Sequence, residues 1–303
     1  MIIKDLEKFS KNIKSEVFFD YEIKNYNWFN IGGKTKVFFK PNSLKELIEF
    51  LKLYSHRGKI FTLGAGSNVL FNDKTFQGSI IKLGKSFSNL SLLNKDTIIA
   101  GASSTQKKLS EFAKDNNIGG LEFMSCIPGS VGGGIRMNSG CFNKEFKDVL
   151  ISLQVIDFDG QIKTIPSSKI NFKYRGNDLP KDIIFLSATF KGSIKIKSEI
   201  QNYMKELKEK KEASQPTRLK TSGSTFKNPS GFYAAKLIEE AGYKGFRKGD
   251  AMVSDLHSNF LINTNNASAS EIEDLGKLII DKVYEKFQIV LEWEIKIIGE
   301  LKK

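Results

Sequence analysis

Residues 127–140 read Ile127-Pro128-Gly129-Ser130-Val131-Gly132-Gly133-Gly134-Ile135-Arg136-Met137-Asn138-Ser139-Gly140. Four glycines fall within the six residues from Gly129 to Gly134, and each adds chain entropy that folding must overcome. A turn joining two elements does not need so many, so the run implies a loop backbone against which something packs directly. Pro128 stiffens the entry, while Ser130 and Asn138 offer hydrogen bonds to the polar parts of a ligand. Upstream, Phe61-Thr62-Leu63-Gly64-Ala65-Gly66-Ser67-Asn68-Val69-Leu70 is an apolar strand entering a tight turn of small residues. Glycine permits positive φ and close approach, so successive N–H groups there can converge on phosphate oxygens. The dinucleotide fingerprint of the doubly wound fold is not met: its third glycine would fall at Val69, and Leu70 to Leu83 read as loop and strand, not helix. Taken alone, this segment is explained equally well as a structural turn.

The elements flanking both segments alternate irregularly. Ser43 with Glu46 forms a capping box before Leu44, Leu47, Ile48 and Leu51, with Gly58 as a stop. Ser198 with Gln201 opens a second helix ahead of Pro216, Ala234 to Ala241 repeats at helical spacing before Gly242, and Ser268 with Glu271 caps a helix running toward Phe287. Ile151, Leu153 and Val155 alternate into Asp159-Gly160, a dipeptide that favours a type I′ hairpin. Further strands are expected at residues 36–40, 79–83, 183–190, 259–263 and 290–298. Without a regular strand-helix-strand beat, the pattern favours α+β over a doubly wound sheet.

Composition narrows the class. The 303 residues are 40% apolar with 24 Phe, enough for two or three domains with substantial cores. No apolar run approaches the roughly 20 residues that span a membrane, and neither membrane insertion nor export is expected. Cys126 and Cys141 read as reduced thiols of a cytoplasmic protein, and two Cys with two His at unrelated spacings make no metal site. The formal charge of +13 suits an anionic partner, nucleic acid or a phosphate-rich ligand. Lys205 to Lys211 is a brief basic cluster without interleaved aromatics, as expected of a solvated helix face and not of a nucleic-acid platform.

Taken together, Leu63 to Asn68 and Ile127 to Gly133 resemble the paired FAD-binding loops of the MurB reductases, within the wider flavoprotein family related to vanillyl-alcohol oxidase. Three more motifs follow in the family's order: Phe172-Lys173-Tyr174-Arg175 resembles its Tyr-Arg site, Gly223 to Pro229 its Gly-Ser-x-Phe-Lys-Asn-Pro loop, and Leu291-Glu292-Trp293-Glu294-Ile295 its Leu-Glu-Pro-Glu-Val strand. The resemblance implies FAD as cofactor, held by Thr62, Gly64, Ala65, Gly66, Ser67, Asn68 and Leu70 with Ile127, Pro128, Gly129, Ser130, Gly132, Gly133 and Asn138. It implies NADPH as reductant and UDP-N-acetylglucosamine enolpyruvate as substrate, reduced to UDP-N-acetylmuramate for peptidoglycan. His56 and His257 lie in neither loop and Cys126 only borders one, so no covalent flavin link is expected.

Hydride delivered to the alkene carbon farther from the ether oxygen leaves charge that spreads into the adjacent carboxylate. Arg175 suits that charge, being permanently cationic and able to fork onto two carboxylate oxygens, although a structural ion pair is the other reading. The resemblance makes Ser224 the proton donor, plausible for a hydroxyl only because the acceptor is a strongly basic enolate held in contact. Lys227 could lower that hydroxyl's pKa or meet a diphosphate, and Asn228 could bond phosphate. Glu294 is carried over as a stabiliser of the protonated or enolic intermediate, with a surface strand as the alternative. Tyr174 packs on substrate or flavin, or in a core; His257 reaches the substrate or is a satisfied structural histidine. Two departures stand out: Trp293 replaces the usual proline, and Asn177 stands where serine often follows Tyr-Arg.

The expected architecture is α+β: a two-lobed FAD-binding region at residues 1–75 and 76–195, then a smaller substrate-binding domain at 196–303. A monomer is expected, since no sustained heptad appears. The rival readings are another flavin oxidase or dehydrogenase, of a hydroxy acid or sugar lactone, and a colourless basic module that binds nucleic acid.

Overall fold

The computed structural model describes residues 2–54, 56–217 and 219–299. The chain divides into two compact units. Unit 1 takes the N-terminal residues through Phe19, then Val37–Ala65 and Gly78–Lys210; unit 2 takes Asp20–Lys36, Gly66–Gln77 and the C-terminal residues from Lys211. The division is thus discontinuous in sequence. The chain changes unit inside the strands Glu16–Glu22, Lys34–Lys40 and Phe76–Ile81, and inside the helix Lys197–Ser214.

Unit 1 is built on an antiparallel five-stranded sheet ordered Ile162–Pro166, Leu150–Asp157, Ile183–Lys191, Thr97–Gly101, Leu90–Asn94. Alternation along these strands sends Ile98, Ala100, Leu153, Val155, Ala188 and Phe190 to one core, where Leu109 and Ala113 of the helix Gln106–Asp115 meet them. A second core forms where Leu47, Phe50, Leu51 and Tyr54 of the helix Leu44–Tyr54 pack on Val37, Phe39 and Ile81. The Phe39 and Phe50 rings stack there at 4.2 Å. That helix starts where Ser43 accepts the Glu46 N–H at 3.2 Å, but only half of the expected capping box forms. The Glu46 carboxylate instead accepts the Lys14 N–H at 2.8 Å and the Ser15 hydroxyl, tying down the N-terminal segment.

In unit 2, the antiparallel sheet Arg247–Lys248, Ala251–Val253, Leu261–Asn263 packs with the helices Ala234–Glu240 and Ala269–Phe287. The longer helix has the full reciprocal box between Ser268 and Glu271. Val69–Phe71 pairs in parallel with Lys296–Ile298 beside them. Mostly antiparallel sheets with unevenly spaced helices make the fold α+β.

Several local expectations are corrected. The Asp159-Gly160 hairpin is not type I′, because only Gly160 has positive φ (83°); Gly160 N–H bonds Asp157 O at 3.0 Å, giving a type I turn followed by a glycine bulge. The second helix begins at Lys197, so Ser198 lies inside it. Of the strand expected at 290–298, only Lys296–Ile298 is regular, and before it Trp293 makes a single bridge to Phe226. The alternation survives in burial: Leu291 and Ile295 are each 2% exposed while Glu292 is open. Trp293 fits in place of proline because its indole lies over Gly276 of the helix Ala269–Phe287, where any Cβ would overlap the ring.

Candidate active site

The expected site residues divide between the units. Within unit 1, the two glycine segments meet. Strand Lys59–Thr62 runs parallel to Phe76–Ile81, its extension held by the Leu63 N–H to Ile81 O bond of 2.8 Å. A Cβ on the next residue, Gly64, would overlap the Ser130 hydroxyl, so this position is glycine because the second segment lies against it. Ser130 N-caps a helix, Val131–Arg136, and accepts the Gly133 N–H at 3.2 Å.

That helix is a departure from the expected loop, and it assigns the glycines differently. Gly132 lies so close to Ala102 that a Cβ would come within 3.2 Å of the alanine's own, and at Gly134 it would overlap the Phe146 ring. Protein, not ligand, packs against these two glycines. The helix N-terminus is satisfied as well: Val131 N–H bonds Ser104 O at 2.8 Å and Gly132 N–H bonds Ala102 O at 2.9 Å. By contrast, the amides of Gly64, Ala65, Gly129 and Ser130 donate to no acceptor among the described residues. Beside them, Ser104 Oγ and Gln106 Oε1 are buried and have no partner among the described residues, each residue being 1% exposed. Unspent donors next to a position closed to any Cβ fit the pyrophosphate of a dinucleotide.

Other expected cofactor residues hold these segments in place. Ile127 packs against the unit 1 core, and Pro128 leads into Gly129, whose φ is 145°. Asn138 is fully buried and its side chain is spent inside the protein. Its Nδ2 donates to Glu145 Oε2 at 3.0 Å and Lys173 O at 3.3 Å, and its Oδ1 accepts the Lys147 N–H at 3.1 Å. The bond to Lys173 ties it to the hairpin of Phe172–Lys173 and Gly176–Asn177, whose two-residue turn is Tyr174–Arg175. Arg175 has φ 57°, a left-handed value that costs a bulky residue energy, and its guanidinium lies 4.8 Å from the Tyr174 ring centroid. Tyr174 is 47% exposed and therefore not a core tyrosine. Asn177, in place of the family's serine, braces the hairpin by donating to Ile135 O at 2.8 Å and Arg136 O at 3.2 Å. Arg136 adds bonds to Leu179 O at 3.0 Å and Pro180 O at 2.9 Å, and burial lowers its pKa.

Unit 2 carries the rest. Gly66 has φ 72° and accepts the Trp28 N–H at 3.0 Å; Ser67 follows in the same turn. Asn68 Nδ2 donates to Glu294 O at 3.2 Å, and Asn68 O accepts the Lys296 N–H at 3.0 Å. Leu70 is fully buried in the unit 2 core, which leaves its side chain no ligand to touch.

Ser224 is half-buried, and its hydroxyl has no hydrogen-bond partner among the described residues. The residues after it are held firmly. Thr225 N–H bonds Asn259 O at 2.7 Å, Thr225 Oγ1 accepts the Leu261 N–H at 3.1 Å, and Asn259 pairs with both backbone groups of Phe226 at 2.9 and 2.8 Å. Glu294 N–H bonds Thr225 O at 2.8 Å, which brings Glu294 beside the Ser224 loop. Lys227 is paired with Glu292 at 2.9 Å, an ion pair whose hydrogen bond lowers the Glu292 pKa. Asn228 Oδ1 accepts the Ala234 N–H at 3.0 Å and so anchors the start of the helix Ala234–Glu240. His257 Nδ1 accepts the Asn259 N–H at 3.3 Å, and burial lowers its pKa, so the neutral ring supports Asn259. Asn259 and Thr225 were not singled out by the sequence reading, since their importance lies in which backbone groups they reach. Nor was Lys82, whose only sequence signal is a charge interrupting the apolar run Ser79 to Leu83.

Residues 35–166 match an FAD binding domain, and residues 215–298 match the C-terminal domain of UDP-N-acetylenolpyruvoylglucosamine reductase. The chain is 55% identical to the UDP-N-acetylenolpyruvoylglucosamine reductase of Pelagibacter ubique over 98% of its own length and 100% of the relative's. It is 44% identical to that of Rickettsia bellii strain RML369-C, over 95% and 96%. The crystal structure of the Thermus caldophilus enzyme (MurB) superposes with a TM-score of 0.82 at 30% identity, covering 94% of this chain and 99% of that one.

Proposed function

The chain belongs to the UDP-N-acetylenolpyruvoylglucosamine reductase family, and we propose that Arg175, Ser224 and Glu294 carry its reaction, with NADPH as the reductant. The protein is an FAD-dependent oxidoreductase that reduces UDP-N-acetylglucosamine enolpyruvate in peptidoglycan precursor synthesis. FAD, when bound, supplies the hydride that NADPH first gives it. The free amides of Gly64, Ala65, Gly129 and Ser130 would hold its pyrophosphate, and the buried side chain of Asn138 supports the hairpin instead.

Arg175 forks onto the substrate carboxylate and draws the developing negative charge toward it. It stands on a two-residue turn with its guanidinium against the Tyr174 ring, which limits the reorganisation needed when charge appears. Ser224 gives its proton to the carbon bearing the ether oxygen, completing addition across the double bond and yielding UDP-N-acetylmuramate. Glu294, held by its main chain beside Thr225, stabilises the protonated or enolic form. Lys227 and Asn228 shape the loop end, and Tyr174 covers the substrate. We read the protein as a cytoplasmic monomer; among the described residues no helix is long and apolar enough to cross a membrane.

The observation that carries the assignment is the Ser224 hydroxyl, uncommitted among the described residues next to Thr225 and Phe226, which are both tied to Asn259. An anaerobic absorbance assay tests it, adding NADPH and then the enolpyruvyl substrate. Bleaching with NADPH and recolouring only with substrate are expected, with Ser224→Ala bleaching normally and recolouring roughly 10²- to 10⁴-fold more slowly, the usual worth of a proton donor. Normal recolouring by Ser224→Ala would remove Ser224 from the mechanism.

A further inference from the structure

Lys82 follows the strand Phe76–Ile81 in unit 1, and its ammonium donates to the carbonyl of Gly64. A trans peptide is planar, with its C=O and N–H on opposite sides. Fixing the Gly64 oxygen therefore fixes the direction of the Ala65 N–H, which points away from Lys82 and has no protein acceptor among the described residues. A cation on the oxygen also polarises the peptide and makes that N–H a stronger donor. Lys82 itself is held at an electrostatic cost. Burial, and secondarily the nearby Lys40 charge, lower its pKa, and among the described residues no carboxylate pairs with it. A half-buried cation without a counter-ion, bonded to the back of a peptide whose front is an unused donor, is arranged for an anion on the far side.

We propose that Lys82 is a positioning residue for the pyrophosphate of FAD: it aims and strengthens the Ala65 N–H and places a positive charge behind it. This rests on the reading that Gly64, Ala65, Gly129 and Ser130 hold the pyrophosphate. Lys82 acts through the peptide and does not itself need to touch the cofactor.

The test is the rate at which holoenzyme sheds FAD on dilution into flavin-free buffer, followed by the rise of free-flavin fluorescence, in wild type, Lys82→Met, Lys82→Arg and Gly64→Ala. Losing a charge-assisted hydrogen bond predicts release about 10- to 100-fold faster for Lys82→Met. Lys82→Arg, which keeps charge and donor, should stay within about threefold of wild type, and the bound-flavin absorbance maximum should not move in either, since the pyrophosphate lies away from the ring. Melting in saturating FAD separates positioning from folding. Fast release with a wild-type melting point supports the proposal; a melting point lowered in saturating FAD and not restored by arginine makes Lys82 a fold residue and overturns it. If Lys82→Met keeps its FAD while Gly64→Ala sheds it, the role of Lys82 fails alone. If Gly64→Ala also keeps its FAD, the pyrophosphate assignment fails and the proposal with it.

Discussion

Replacing Asn259 with alanine should damage both stability and turnover, although its side chain is assigned no contact with substrate. Asn259 is 3% exposed, and its amide closes two bonds on Phe226, taking the N–H at 2.9 Å and donating to the carbonyl at 2.8 Å. Phe226 is 1% exposed, so bulk water does not reach either backbone group. Alanine leaves a buried donor and a buried acceptor unsatisfied, at roughly 1–3 kcal/mol each, for a total of roughly 2–6 kcal/mol. Against a typical stability of about 5–15 kcal/mol, that is a large fraction. The main-chain bond from Thr225 N–H to Asn259 O, 2.7 Å, survives the change, so the Ser224 loop stays attached but loses its register at Phe226. Urea unfolding should show the lost stability, and single-turnover reoxidation by the enolpyruvyl substrate should slow while reduction by NADPH does not. Ser224→Ala is the control: its half-buried hydroxyl has no partner among the described residues, so its unfolding midpoint should match wild type. An Asn259→Ala protein as stable as Ser224→Ala, with normal reoxidation, would refute the claim that this amide holds the loop.

Two further outcomes follow from single residues. Arg175→Gly removes the guanidinium from a turn whose φ of 57° glycine adopts freely, and should slow reoxidation at least about 100-fold; normal reoxidation would remove Arg175 from the reaction. The His257 pKa is lowered by burial, so between the ordinary imidazole value of about 6.5 and its folded value the unfolded chain binds a proton that the folded chain refuses. Its stabilising effect is full above about pH 6.5 and is lost as pH falls through that window. Melting curves between pH 7.5 and 5.5 should therefore fall more steeply in wild type than in His257→Gln, and equal slopes would dismiss the buried neutral ring.

The parts of the fold legible in the sequence were those decided within a few residues. The Ser268–Glu271 box and the apolar stripe of the helix Ala269–Phe287 form as read, because a cap and a 3.6-residue period need only neighbours. The same reasoning at Ser43–Glu46 was half right: the sequence cannot reveal that Lys14 and Ser15 lie within reach of the Glu46 carboxylate. Val290 to Ile298 carries a clean period of two, which is a statement about burial. It gives no assurance that a partner strand exists along the whole length, and here the pairing before Lys296 is a single bridge to Phe226.

The glycine-rich run shows the limit most clearly. Counting glycines correctly says that something approaches the backbone closely, but not what approaches. At Gly134 it is the Phe146 ring, at Gly132 it is Ala102, and at Gly64 it is the Ser130 hydroxyl, all parts of the same chain. What marks a ligand is the complementary observation, backbone donors left unspent, and that is a property of the three-dimensional arrangement alone. In the helix Val131–Arg136 the first-turn amides are all used, so the segment richest in glycine is not the segment richest in free donors. The free amides lie just before it, at Gly129 and Ser130, and across from it, at Gly64 and Ala65. The small residues thus act at one remove: they bring two backbones close together with N–H groups left over, which on the proposed reading face one anion, with Lys82 on the Gly64 carbonyl aiming one of them.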